Sequence, residues 1–208
     1  MRITFTGSHS TGKTTVAKML VEEIEKQYPE LFIDNLGSVT RELLTLGGEF
    51  RDGKKVTLSP NTDRFQLACI YKRREWMLMP ELLYEADVVI SERWALDETA
   101  YQLDKVKKKG GELTLATYNI CENEVQWEID NYWDIIYYLP VSSREVEDDG
   151  VRDTDRQYQL EIDKNIQEIL KVHEDTTKIR TVPVELADII PFLKEEVSRY
   201  GFESSLSE

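Results

Sequence analysis

The chain has 208 residues, with 26 Lys and Arg against 40 Asp and Glu and a formal net charge of −14. That length suits a single domain, 1–208, with its own core, and so acidic a surface argues against sequence-independent binding to nucleic acid or anionic membrane. Hydrophobic residues at 40%, with ten Tyr, six Phe and four Trp, exclude a disordered chain.

Arg2-Ile-Thr-Phe-Thr6 is a β-branched and aromatic run ending at Gly7, which reads as a strand feeding a turn. Val16, Ala17, Met19, Leu20 and Ile24 then recur at helical spacing until Pro29 stops the pattern. Leu31 to Ile33 reads as a second strand. Leu58 to Asn61 is a loop and helix entry, and Asp63 to Tyr84 is helix-forming apart from Pro80. Asp87 to Ser91 is a short apolar run bounded by charge, as a buried parallel strand requires. Leu96 to about Val106 and Leu113 to Tyr132 read as helices joined by a Lys-rich Gly-Gly turn. Asp134 to Leu139 is another strand, closed by Pro140. Residues 142–156 are dense in charge and read as a mobile lid. A helix to about Val172, a strand Ile179 to Val184 and a helix Ala187 to Tyr200 complete the chain. Strands alternating with helices predict an α/β fold, a doubly wound five-stranded parallel sheet with helices on both faces.

Cys69 and Cys121 are far apart, no CxxC is present, and His9 and His173 are isolated. Neither a zinc site nor a disulfide framework is expected. Two reduced thiols, no run approaching a membrane span and no signal peptide predict a cytoplasmic protein.

Gly7-Ser-His-Ser-Thr-Gly12-Lys13-Thr14 fits GxxxxGK[ST] at every fixed position, after a predicted strand and before a predicted helix. In such a loop successive backbone N–H groups turn toward phosphate oxygens, and the helix N-terminus adds its positive end. The pattern implies nucleoside-triphosphate binding by Gly7, Ser8, Ser10, Thr11, Gly12, Lys13, Thr14 and Thr15. Lys13 is expected to reach the β- and γ-phosphates and the Thr14 hydroxyl to ligate Mg²⁺. Thr15 reads as a helix-start residue. His9, between the glycines, is expected to present backbone rather than act as a base.

Val88-Val-Ile-Ser-Glu92-Arg93 places an acid at the carboxyl end of an apolar strand, where ligands of such sheets bind. Glu92 is a candidate to hold Mg²⁺ through water or to take the proton of an attacking hydroxyl. Arg93 offers a planar fork for substrate or transferring phosphoryl. Asp97 and Tyr101, four apart on one helix face, are candidate substrate contacts.

At these residues the sequence resembles the P-loop nucleoside and nucleotide kinases. It is most similar to the AAA-type kinase branch that includes the nicotinamide riboside kinase domains, and it also resembles the deoxyribonucleoside kinases. The resemblance rests on GSHSTGKTT, on Ser-Glu-Arg-Trp-Ala-Leu-Asp-Glu-Thr-Ala-Tyr at 91–101, and on Glu-Asp-Asp-Gly-Val-Arg-Asp at 147–153 with Tyr158 and Ile162 beyond. It implies a five-stranded kinase fold, ATP and Mg²⁺ as cofactors, and transfer of the γ-phosphoryl group. It further implies that Glu92 and Arg93 supply the base and a substrate-binding arginine. Phe65-Gln66 stands where those kinases carry a Phe-Gln whose amide reads the nucleobase, with Arg73 and Arg74 further along. Thr40-Arg41-Glu42 stands nearest their second-strand substrate motif, so Arg41 is a loosely aligned substrate candidate. Much of the related branch has Asp-Arg in place of Glu92-Arg93, so the departures fall on the acceptor side.

In the lid segment, Arg152 and then Arg156 are the arginines expected to close over the migrating phosphoryl group. Lys105, Lys107, Lys108 and Lys109 form a basic run, read as a solvated helix end. Together these expectations describe an ATP- and Mg²⁺-dependent phosphotransferase acting on a nucleoside, nucleotide or similar small molecule, away from membranes, with an oligomer compatible. Two alternatives stand beside it: a kinase of a hydroxyl on a modified base in DNA, and a nucleotide-binding switch without an acceptor.

Overall fold

Five strands lie parallel in one sheet in the computed structural model, which describes residues 1–45, 62–78, 85–108, 110–142 and 155–201. They are β1 (Arg2–Thr6), β2 (Ile33–Gly37), β3 (Val88–Ser91), β4 (Ile135–Tyr138) and β5 (Ile179–Thr181). Their order across the sheet is β2-β3-β1-β4-β5. The connections therefore run first to one side of β1 and then to the other. β1 pairs β3 with Ile3 opposite Ile90, and β4 with Ile3 opposite Ile135. The switch in winding direction falls at the carboxyl end of β1, where open α/β sheets bind ligands.

Alternation along the strands divides the core between the two faces. Ile3, Phe5, Val88, Ile90, Ile135 and Tyr137 point to one face, and α1 (Lys13–Gln27) and α7 (Leu186–Arg199) cover it with Val16, Leu20, Ile24, Ile189, Leu193 and Val197. Ile136 and Tyr138 point to the other. There α4 (Ala95–Lys108), α5 (Glu112–Asn131) and α6 (Arg156–Val172) close over them with Leu96, Ala100, Val125, Ile129, Ile162 and Ile166. α2 (Val39–Thr45) and α3 (Thr62–Leu78) meet through Val39, Phe65 and Cys69. Each of these aliphatic side chains contributes about 1.5–3 kcal/mol when buried.

The doubly wound α/β reading, with helices on both faces, holds. Three local expectations change. The second strand starts at Ile33 and continues through Asn35 to Gly37, because its polar residues lie on an edge strand that pairs with β3 alone. Thr40-Arg41-Glu42 lies inside the short helix α2. β5 ends at Thr181, and Pro183, which has no N–H for the ladder, follows one residue after Val182 bonds Tyr138 O. Among the described residues no helix is long and apolar enough to cross a membrane. Residues 79–84 of the expected long helix, and 143–154 of the expected lid with Arg152, lie outside the described residues.

Candidate functional site

β1 delivers the chain directly into the glycine-rich loop. Gly7 follows Thr6 at φ 155°, and a Cβ there would stand 2.6 Å from Leu139 O and 2.8 Å from Thr11 Oγ1. No side chain fits that approach, which is why the first glycine is required. Ser10 takes a left-handed φ of 58° and Gly12, the N-cap of α1, a φ of 90°. The turn closes as Val16 N donates to Gly12 O at 2.9 Å.

Lys13 is buried, and its ammonium donates to Gly7 O and Ser8 O, both at 2.6 Å, with Thr11 Oγ1 at 3.3 Å. The loop thus wraps the cation with its own carbonyls. Ser8 is buried, with its hydroxyl donating to Gln159 O, and Thr11 donates to Ser8 O. Thr15 is exposed on the first turn of α1.

The carboxyl end of β3 meets this loop. Thr14 Oγ1 donates to Glu92 Oε2 at 2.8 Å across 78 residues of sequence. A hydroxyl and a carboxylate side by side at a helix N-terminus are hard oxygen donors. They suit Mg²⁺, which is held by one or two carboxylates together with phosphate oxygens and water. Among the described residues no three His, Cys, Asp or Glu side chains gather into a cage, and this mode of Mg²⁺ binding needs none.

Arg93 turns along α4 and donates to Asp97 Oδ1 at 3.0 Å. Burial alone would lower its pKa, but the charges of Asp97, Tyr101 and Glu98 outweigh that and raise it. Asp97 is itself buried, and its second oxygen lies 3.5 Å from the N–H of Trp94, the reciprocal half of a capping box at the start of α4. Asp97 thus sits behind Arg93 and orients it. Tyr101 links Arg93 to the loop: its hydroxyl lies 3.5 Å from His9 Nδ1, and the His9 ring stacks on Tyr158 with centroids 5.7 Å apart. The His9 carbonyl accepts from Gln159 Nε2.

Behind Arg93 lies a second polar group under α3, α4 and α5. Arg73, 1% exposed, donates to Glu98 Oε1 at 2.8 Å and stands 3.8 Å from Glu128 Oε1. Burial raises the carboxyl pKa of both acids, against the opposing charge of Arg73, and takes Glu128 to about 7. Glu128 also accepts from Trp133 Nε1 at 2.7 Å and from Ala95 N at 3.3 Å. Arg73 Nε and Nη1, Glu98 Oε2 and both amide atoms of Gln102 are buried with no hydrogen-bond partner among the described residues. Gln66 is buried one helical stretch before Arg73. Sequence reasoning named Gln66 and Arg73 but missed Glu98 and Gln102. Their spacing of four, which puts two polar residues on one face of α4 away from the apolar face of Leu96 and Ala100, is the signal that finds them.

A cleft opens on the opposite flank of the loop, between Thr11, Thr15 and Val16 on one side and Pro140, Val182, Pro183 and Val184 on the other. Its apolar wall comes from the chain after β5, which the sequence reading assigned to the strand. At the start of α6, Arg156 donates to Gln159 Oε1 and to Ser142 O. Arg41 lies on α2, but its side chain falls outside what the structure describes. Lys105, Lys107 and Lys108 are within 3.0 Å of Asp63, Glu168, and Glu161 with Asp104, respectively, so these three lysines are an ion-paired face. Lys109 lies outside the described residues.

The sequence matches the family described as an AAA domain over residues 2–185. No curated protein sequence matches it. Among solved structures, deoxyadenosine kinase from M. mycoides superposes with a TM-score of 0.65 at 16% identity, covering 96% of this chain and all of that one. Thymidylate kinase from Candida albicans gives 0.65 at 19% identity, covering 95% and 90%. Thymidylate kinase from Ehrlichia chaffeensis gives 0.56 at 21% identity, covering 96% and 97%. At these identities the likeness is one of fold, and the fold is that of the P-loop nucleoside and nucleotide kinases.

Proposed function

The chain belongs to the AAA-domain family, and on that premise we propose that it is an ATP- and Mg²⁺-dependent phosphotransferase whose acceptor is a nucleoside, a nucleotide or a similar small molecule. The observation that carries this reading is the 2.8 Å bond between Thr14 and Glu92. It brings the phosphate-binding loop and the carboxylate at the end of β3 to one point.

In this reading the N–H groups of residues 8–13 and the Lys13 ammonium cradle the phosphates. The base lies in the apolar cleft between Thr15 and Val182–Val184. Thr14 and Glu92 hold Mg²⁺, which when bound adds positive charge against the phosphate oxygens. Glu92 orients the acceptor oxygen and, where that oxygen is a hydroxyl, takes up its proton. Arg93, held by Asp97, braces the acceptor beside the transferring group, and Arg156 and Arg152 supply positive charge to that group. Gln66, Arg73, Glu98 and Gln102 read the polar edge of the acceptor. The buried atoms of Arg73, Glu98 and Gln102 that have no partner among the described residues each cost about 1–3 kcal/mol until something satisfies them.

A small-molecule acceptor is better supported than DNA. The −14 net charge repels a polyanion, and Lys105, Lys107 and Lys108 are already beside carboxylates.

The test is transfer of label from γ-labelled ATP with Mg²⁺ into nucleosides, nucleoside monophosphates, nicotinamide riboside and hydroxymethylated DNA, with Lys13→Ala as control. Label in one small molecule, lost about a thousandfold in the control, is the expected result. Label in DNA alone overturns the acceptor class. ATP binding with no transfer to any acceptor favours a nucleotide-driven switch.

A further inference from the structure

We propose that Gln159 is a positioning residue that ties the shape of the phosphate-binding loop to the placement of Arg156. The inference rests on reading Gly7–Thr14 as the nucleotide site.

Gln159 stands in the first turn of α6 and is 2% exposed. Its backbone N–H bonds Asp155 O, as helix geometry requires. Two further contacts leave the helix and a third stays on its first turn. Its carbonyl accepts from the Ser8 hydroxyl at 2.8 Å, its side-chain Nε2 donates to His9 O at 2.6 Å, and its Oε1 accepts from Arg156. One residue therefore holds two consecutive positions of the loop and an arginine.

The chemistry of the amide explains the choice of side chain. A backbone carbonyl needs a donor and a guanidinium needs an acceptor, so the two ends of a planar amide match the two neighbours in a single orientation. A carboxylate would satisfy Arg156 and repel His9 O. An aliphatic side chain would satisfy neither.

The place where Gln159 grips the loop matters too. The His9 carbonyl belongs to the peptide that precedes Ser10, the residue with the left-handed φ of 58°. A conformation of that kind persists where its surroundings hold it, and the bond from Nε2 holds this peptide from one side. On the other side of the amide, Arg156 also donates to Ser142 O, just beyond β4. Four residues on from Gln159, and so on the same face of α6, Asp163 feels the charges of both Lys13 and Arg156, which oppose the rise that burial gives its carboxyl. The two cations thus converge on one stretch of α6, with Gln159 between the loop and the arginine.

The experiment is a double-mutant cycle on binding of Mg²⁺-ATP, read by titration calorimetry with no acceptor present. The proteins are wild type, Gln159→Leu, Gln159→Glu, Arg156→Ala and the double variant Arg156→Ala with Gln159→Leu. Each single change is expected to weaken binding about tenfold, the equivalent of one hydrogen bond to a charged or strained partner. The double variant is expected within about threefold of the weaker single, because both changes break one linkage. Gln159→Glu keeps the size and the Arg156 contact, so it reports on the His9 contact alone and serves if the leucine variant does not fold. Multiplying losses in the double variant, or a Gln159→Glu protein that binds as wild type does, overturn the inference. Wild-type protein that fails to bind ATP overturns the nucleotide reading itself, which separates the two failures.

Discussion

The two faces of the sheet are built on different terms. Under α1 and α7 the interior is a continuous apolar layer from Ile3 to Val197. Its main buried charge, Glu196, is held by Tyr137 and by the guanidinium groups of Arg180 and Arg199. Under α3, α4 and α5 the interior carries Arg73, Glu98, Glu128 and Gln102, several of whose hydrogen-bonding atoms have no partner among the described residues. The first face is complete as a folded object. The second carries polar groups whose desolvation is not offset by hydrogen-bond partners among the described residues. The proposed phosphate site, at the boundary between the two, is built largely from backbone.

Breaking the polar face gives the largest expected effect. Arg73→Leu leaves Glu98 and Glu128 without their cation, and removal of one partner from a buried ionic group costs about 3–5 kcal/mol. Chemical denaturation should show that loss, with ATP affinity per folded molecule unchanged. Equal loss of ATP affinity would mean that the two regions are one.

At the boundary, Glu92→Gln keeps a group able to accept from Thr14 but removes the charge. Transfer rate is expected to fall about a hundredfold, measured at saturating ATP and acceptor, with the melting temperature held. Gly7→Ala sharpens the contrast from the loop side. Its new methyl meets the backbone oxygen of Leu139, and ATP binding is expected to weaken about tenfold, in line with strain of about 1–3 kcal/mol.

The smallest effect is a slope. The carboxyl of Glu128 is raised by burial to about 7 from an ordinary 4.5. The folded state therefore holds a proton that the unfolded chain has released, and this contribution to stability is full below about 4.5 and lost as pH rises through 7. Glu128→Gln, which can still accept from Trp133 and Ala95, should flatten the melting temperature between pH 5 and 7.5 relative to wild type.

The glycine-rich loop was legible in the sequence because its conformation is carried by backbone. A loop that must curl needs glycine at stated positions, so Gly7, Gly12, Lys13 and Thr14 announce themselves by spacing alone. The end of β3 was legible for a related reason, since Glu92 and Arg93 interrupt an apolar strand. The polar group under α3, α4 and α5 resisted because its residues come from three helices and meet only through packing. Glu98 looks like any acidic residue in a first helical turn, and the partners that give it meaning, Arg73 and Glu128, are 25 and 30 positions away. The cleft wall at Val182–Val184 was hidden for a third reason: β-branched residues read as strand whether or not a neighbour pairs with them. Asp97 was found as a polar residue of the site, though what it faces is Arg93.

The position of β1 in the middle of the sheet has a consequence for how the molecule assembles. The strand comes first in chain order among the five, yet its partner on one side lies 87 residues away and on the other 132. Contacts of such separation form slowly, because long loops must close before they are rewarded. During synthesis β1, with Ile3 and Phe5 on one face, must wait for β3 and then for β4. Until residue 138 has been added it keeps at least one edge open to pairing with another chain.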